Sequence, residues 1–261
     1  KFFSELPQKH EILWNDGPNL KSLDNTLAKQ NLAPQELGKG RNVWYCMGYI
    51  LSVGKAEAVA LHDCDIVTYS RSLLARLVYP VANPKFNFDF CKGYYPRVSE
   101  NKVKGRVARL LVTPLLRALE KTIGFNEFIS FVDSFRYPLA GEFSFRRRVL
   151  KDIRIPYDWG LEIGVLSEMF RNYAGNRLCQ VDIADNYDHK HQDIFFDDNS
   201  KGLSKMSIDI IKVIIRKLAS QGEPFSMSIF RSLKATYYRE ALDFVQIYKK
   251  DALMNAYDID V

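Results

Sequence analysis

Short apolar runs closed by polar or glycine-containing turns alternate with longer helical stretches along most of this chain. That alternation restricts the fold more than any other feature. Glu11-Ile12-Leu13-Trp14, closed by Asn15-Asp16-Gly17-Pro18, reads as a strand and a turn. Residues 20–29 have helical spacing, and Gly38-Lys39-Gly40 opens a second helix over 42–53. Residues 56–61 read as a buried strand ended by His62-Asp63-Cys64-Asp65, and Ser70 is placed to cap a helix over 71–79. The aromatic alternation in 86–95 predicts a strand. Residues 105–124 are helical, with Leu110, Leu111, Leu115, Leu116 and Leu119 on one face, and Pro114 marks a kink or a helix start. Pro138-Leu139-Ala140-Gly141-Glu142-Phe143-Ser144 reads as a loop entering a strand, Asp158-Trp159-Gly160-Leu161-Glu162 starts an apolar helix, and 178–183 is a further strand. Strands alternating with helices predict an α/β fold with a mostly parallel sheet flanked by helices. Past Phe196 the pattern changes: a polar linker precedes amphipathic helices over 206–219 and 232–249, with no strand signal. The expected division is therefore 1–196 as one domain and 197–261 as a helical extension, suited to dimerisation.

Composition removes several classes of protein. Of the 261 residues, 47% are hydrophobic and 26% charged, which is the balance of a packed globular domain and not of a disordered chain. No apolar run approaches the roughly 20 residues of a membrane helix. The net charge of +6 suits anionic ligands without demanding nucleic acid. The basic run Arg146-Arg147-Arg148 reads as a solvated face. The four cysteines form no C-x-x-C pair and are too few for a disulfide framework, and the first residues lack a signal-peptide pattern, so the expected location is cytoplasmic.

Asp63-Cys64-Asp65 follows a strand, and the carboxyl ends of strands are where open α/β sheets bind ligands. The triplet reads either as a solvated acidic turn or as two carboxylates able to hold a divalent cation beside a phosphate. His189 and His191 lie on one side of an extended segment, as an exposed pair or as metal ligands. Gly38-Lys39-Gly40 and Lys104-Gly105-Arg106-Val107 each precede a helix. Both read as flexible helix starts or as anion sites built from backbone N–H groups and a cation. Tyr94, Tyr95 and Arg97 form an aromatic and basic cluster that stacks on a base or packs at the rim. The chain has no G-x-S-x-G and no H-E-x-x-H.

Taken together and in order, Gly38-Lys39-Gly40, Asp63-Cys64-Asp65, Lys104-Gly105-Arg106-Val107, Pro138-Leu139-Ala140-Gly141-Glu142, Gly160-Leu161-Glu162-Ile163-Gly164 and Asp188-His189-Lys190-His191 resemble the glucosyl-3-phosphoglycerate synthases, retaining glycosyltransferases of the Rossmann-like GT-A fold. The resemblance covers almost the whole chain. It implies transfer of glucose from a nucleotide-glucose donor to the 2-hydroxyl of 3-phosphoglycerate, a step toward the compatible solute glucosylglycerate, with Mg²⁺, Mn²⁺ or Co²⁺. It implies Asp65 and His189 as metal ligands, Asp63 beside the donor ribose or sugar, and Lys39 near the nucleotide. It further implies Gly105, Arg106 and Val107 as the acceptor loop, His191 near the acceptor phosphate, and Glu142 as the acid that holds the transferred glucose. A front-face displacement is the expected route, and double displacement through Glu142 is its competitor.

Two departures accompany the resemblance. No counterpart of the family's first donor-binding strand precedes Trp14, and Ala108 stands where the family often has a hydroxyl residue. The alternatives are a mannosyl-3-phosphoglycerate synthase using GDP-mannose and a non-catalytic GT-A-like binding module. The expected partners are the nucleotide-sugar, 3-phosphoglycerate and a second copy of the chain, with no nucleic acid or membrane.

Overall fold

A computed structural model describes residues 7–34, 38–188 and 202–259. Helix α1 (Pro18–Ala28) starts on a proline, whose missing N–H costs nothing at that position. The turn before it closes through Gly17 N–H to Trp14 O at 2.9 Å, as expected. Residues 11–14, expected as a strand, find no ladder partner among the described residues. Helix α2 (Lys39–Val53) ends on Gly54 in the left-handed conformation, φ 70°. Strand β1 (Ala58–Leu61), helix α3 (Arg71–Ala82) and strand β2 (Phe90–Tyr94) follow. Strands β3 (Val98–Ser99) and β4 (Lys102–Val103) then make a tight hairpin whose two turn residues, Glu100 and Asn101, both have positive φ.

The helix expected over 105–124 is interrupted. Val107–Val112 is a π-helical turn, and only then does α4 (Thr113–Ile123) run regularly. Pro114 explains the change, because it has no N–H to return to Leu110 O. The hydroxyl of Tyr237 donates to that carbonyl instead, at 2.8 Å. The remaining elements are α5 (Glu127–Asp133), capped by the Asn126 side chain, β5 (Phe143–Arg146), α6 (Val149–Asp152), α7 (Leu161–Asn172), β6 (Leu178–Asp182), α8 (Gly202–Ser220), α9 (Met227–Met254) and β7 (Asp258–Ile259). Among the described residues no helix is long and apolar enough to cross a membrane.

The main sheet has the order β1-β5-β2-β6. Strands β1, β2 and β6 point the same way, while β5 runs against both its neighbours, so the sheet is mixed and only β2–β6 pair in parallel. Period-2 alternation sends Val59, Leu61, Phe90, Phe143 and Phe145 to one face, against Val43 and Met47 of α2 and Leu161 and Val165 of α7. It sends Ala58, Ala60 and Cys91 to the other face, against Leu73, Leu77 and Val81 of α3. The three like-directed strands therefore end at one edge, where β5 begins. That edge gathers residues 62–65, 95–97, 139–142 and 183–188. The opposite end is tied by buried Asp89, which accepts from Arg148 (2.7 and 2.8 Å) and Arg177 (2.8 Å). Arg146 donates to Phe88 O and Arg147 to Gly54 O, so every member of the basic run is tied to the fold, while Arg148 keeps 60% of its side chain exposed as expected of a solvated face.

The C-terminal helices are woven into the molecule. Ile210, Ile214 and Leu218 of α8 and Leu233 of α9 share one buried cluster with Leu115, Leu116 and Leu119 of α4 and Phe128 of α5. Strand β7 pairs with β4, a two-residue ladder too short to leave a periodic signal. Ile214→Ala should therefore cost about 2–5 kcal/mol of global stability in a single cooperative urea transition, the usual loss for a buried aliphatic truncation. A wild-type midpoint, or a separate early transition, would show the helices to be independent of the sheet.

Candidate active site

The sheet edge opens into a cavity of about 430 Å³. Lys39, the first residue of α2, reaches across its floor. Its ammonium lies 2.5 Å from Asp63 Oδ1 and 2.8 Å from Glu162 Oε1, joining the ends of β1, α2 and α7. Burial opposes the charge on Lys39, but the two carboxylates outweigh it and hold the ammonium above the ordinary lysine range. Gly141 sits directly on this pair: a Cβ there would lie 2.6 Å from both Asp63 Oδ2 and Lys39 Nζ. Gly40 is needed for a similar reason, since its Cβ would fall 2.3 Å from Pro156 O, where Arg41 N–H bonds Tyr157 O.

Asp65 also lines the cavity and, among the described residues, has no hydrogen-bond or ion-pair partner. An open carboxylate beside an anchored one suits a hard divalent cation. Just after Asp65, Val67 N–H bonds Asp188 O at 2.8 Å and Asp188 N–H bonds Thr68 Oγ1 at 2.9 Å. His189 and His191 lie outside the described residues, so their expected roles have no geometry here. Among the described residues no group of three His, Cys, Asp or Glu side chains is gathered for a metal.

The lining also carries basic groups. Arg97, Lys104, Gly105, Arg106 and Val107 are part of it, so the sequence-predicted loop faces the same space as Asp63 and Asp65. Gly105 has φ 85°, and Arg109 braces the loop from behind by donating to Lys104 O (2.9 Å) and Val103 O (3.0 Å). Arg97 lies over the rings of Tyr137 and Tyr187 and leaves a buried Nε without a partner. The cavity lining thus combines carboxylates, cations and the aromatic rings of Trp159 and Tyr137.

Glu142, which the resemblance implies as the acid that holds the transferred glucose, is fully buried in this structure. Tyr95 OH donates to its Oε2 at 2.7 Å and Tyr187 OH to its Oε1 at 2.6 Å, the two rings stacked 3.5 Å apart. Burial, with the Asp63 charge second, raises its pKa, and the tyrosine hydrogen bonds pull the other way. Glu162, by contrast, lines the cavity together with Asp63 and Asp65. Its signal was visible as the one acid inside the apolar stretch Trp159–Leu166, but spacing assigned it no partner.

No protein-family model matches the chain. A curated relative, the glucosyl-3-phosphoglycerate synthase of Persephonella marina, is 46% identical over 260 residues, covering the whole of this chain and 64% of the relative. That of Methanococcoides burtonii is 38% identical over 259 residues, covering 98% of this chain and 63% of the relative. The chain thus spans just under two thirds of the length of these relatives. Among solved structures, a glucosyl-3-phosphoglycerate synthase from Mycobacterium tuberculosis in complex with Mn²⁺, uridine-diphosphate-glucose and phosphoglyceric acid superposes with a TM-score of 0.55 at 24% identity. The match covers 74% of this chain and 58% of that one. That likeness establishes the expected α/β fold, an open sheet flanked by helices.

The buried Glu142 generates a pH-dependent prediction. Tyr187→Phe removes one of its two donors and leaves a buried carboxylate oxygen unpaired, which should cost about 1–3 kcal/mol where Glu142 is charged. Because the folded pKa of Glu142 is raised, lowering the pH protonates the group and relieves that cost. Denaturant melts should show a larger deficit at pH 8 than at pH 5. An equal deficit at both would mean that the hydroxyl does not serve the charged form.

Proposed function

Because the chain is homologous along its whole length to the glucosyl-3-phosphoglycerate synthases, we propose that it carries the catalytic site of a retaining, metal-dependent glycosyltransferase that moves glucose from a nucleotide-glucose donor to the 2-hydroxyl of 3-phosphoglycerate. The observation that supports this reading is the presence in one cavity of both a carboxylate set, Asp63, Asp65 and Glu162, and a cationic set, Arg97, Lys104 and Arg106. A nucleotide-sugar held through a cation needs the first, and a doubly anionic acceptor needs the second. The Mycobacterium tuberculosis relative was crystallised with ligands of both kinds.

Asp65 and His189 are the residues to hold the cation, which supplies Lewis-acid stabilisation of the charge on the departing diphosphate. Asp63 and Glu162, fixed by Lys39, present carboxylate oxygens to sugar hydroxyls. Arg106, at a helix start, and Arg97 hold the acceptor's anionic groups and so convert an encounter into a positioned attack. Glu142, closed off by two tyrosines, is badly placed as a nucleophile, which favours front-face displacement over double displacement. A homodimer and a cytoplasmic location complete the proposal. Tyr238, Leu242 and Leu253, exposed on α9, support the former.

A coupled assay with 3-phosphoglycerate and UDP-, ADP- and GDP-sugars, with and without chelator, tests the reading. Chelator-sensitive transfer from a glucose donor is expected, with none in Asp65→Ala. Arg106→Ala should raise KM for 3-phosphoglycerate tenfold or more, about 1.4 kcal/mol, with little change for the donor. Transfer from GDP-mannose alone would move the assignment to the mannosyl enzyme, and no transfer from any donor would refute it.

A further inference from the structure

Lys92 is the unusual buried residue of this molecule. It lies in β2, on the central strand pair, and is 1% exposed. Lysines are almost never buried to this extent unless they are paired. Among the described residues no carboxylate oxygen lies within 4 Å of its ammonium. It donates instead to Ala140 O at 2.6 Å and stands over the face of the Phe143 ring at 5.3 Å. Stability does not account for such a cation, since an apolar side chain of similar volume at a buried charged position is often neutral or stabilising.

Its surroundings point to the cavity. The carbonyl it holds belongs to the loop between Leu139 and Gly141, both of which line the cavity. Gly141 is packed so closely on Asp63 and Lys39 that a small shift of this loop would disturb the ion pair. The charged groups that act on Lys92 are Glu162, Glu142 and Asp63, which favour its ammonium, and Lys39, which opposes it. We propose that Lys92 is a positioning residue of the catalytic cavity, its ammonium clamping the Ala140 carbonyl and balancing the carboxylates around it so that Gly141 stays seated on the Lys39–Asp63 pair. The assignment rests on the transferase reading only for its catalytic consequence. Burial pushes the pKa of Lys92 down to about 8. The clamp therefore holds its charge at neutral pH and loses it as the pH rises through that value.

Two measurements test it. In the wild-type chain, hydrogen exchange of the 138–143 segment, corrected for intrinsic chemistry, should lose at least tenfold in protection between pH 7 and pH 9, with α9 unchanged. In Lys92→Met, which keeps the methylene packing, kcat at pH 7 should fall at least tenfold with donor KM within threefold. The decline of wild-type activity above about pH 8 should be absent from the variant. A folded variant with wild-type kcat and pH profile would overturn the proposal, and so would wild-type exchange that is flat across this range. Should Lys92→Met fail to fold, the wild-type exchange decides alone. Should the wild-type chain transfer no sugar from any donor, the functional reading fails while exchange still judges the clamp.

Discussion

The ion triad of Asp63, Lys39 and Glu162 is the interaction on which the site depends. Its members come from the end of β1 and the first turns of α2 and α7, elements 24 and 99 residues apart in the chain, counted between neighbouring members. Each member is at most about a quarter exposed or slightly more, so loss of any one leaves charge in a poorly solvated place. Removal of one partner from a buried pair costs roughly 3–5 kcal/mol. The triad also explains why the loop beneath it needs a glycine: the space over Gly141 is taken by the carboxylate and ammonium themselves. Sheet direction makes this possible, because three like-directed strands and the start of a reversed one deliver their loops to the same edge.

Charge is sorted by depth. Glu142 lies below the floor, satisfied by two tyrosines, and Lys92 lies below it without a carboxylate of its own. Above the floor, Asp65 is open to the cavity while Asp63 is held. Buried groups set the field and the backbone, and exposed groups are left for ligands. Fixed charges of this kind need no reorganisation when a ligand arrives, which is the condition for electrostatic preorganisation.

Much of this was legible in the sequence where burial has a period. The strands at 58–61, 90–94 and 178–182 and the helices α2, α3, α4 and α7 followed from alternation and helical spacing, and β5 was read as the strand that the 138–144 loop enters, whereas the short helices α5 and α6 left no readable period. The reversal of β5 did not follow, because a two-sided buried strand has the same pattern in either direction. The hairpin at 98–103 was missed because Glu100 and Asn101 adopt positive φ without a glycine to announce it. Asp63, Asp65, Lys39 and Arg106 were found as residues that end strands or start helices, and the structure brings all four to one cavity. Glu142 and Glu162 were indistinguishable to spacing, since each is one acid in an apolar stretch. The difference between them is made by Tyr95 and Tyr187, more than 40 residues away in the segments that follow β2 and β6.

The most direct test is an anomalous-difference map from crystals of this protein grown with Mn²⁺ and a nucleotide-glucose. The account predicts manganese on Asp65 and His189, with the sugar between Asp63 and Glu162 and Glu142 still closed beneath its tyrosines. Manganese or sugar bound to Glu142, or a nucleotide outside this cavity, would contradict it.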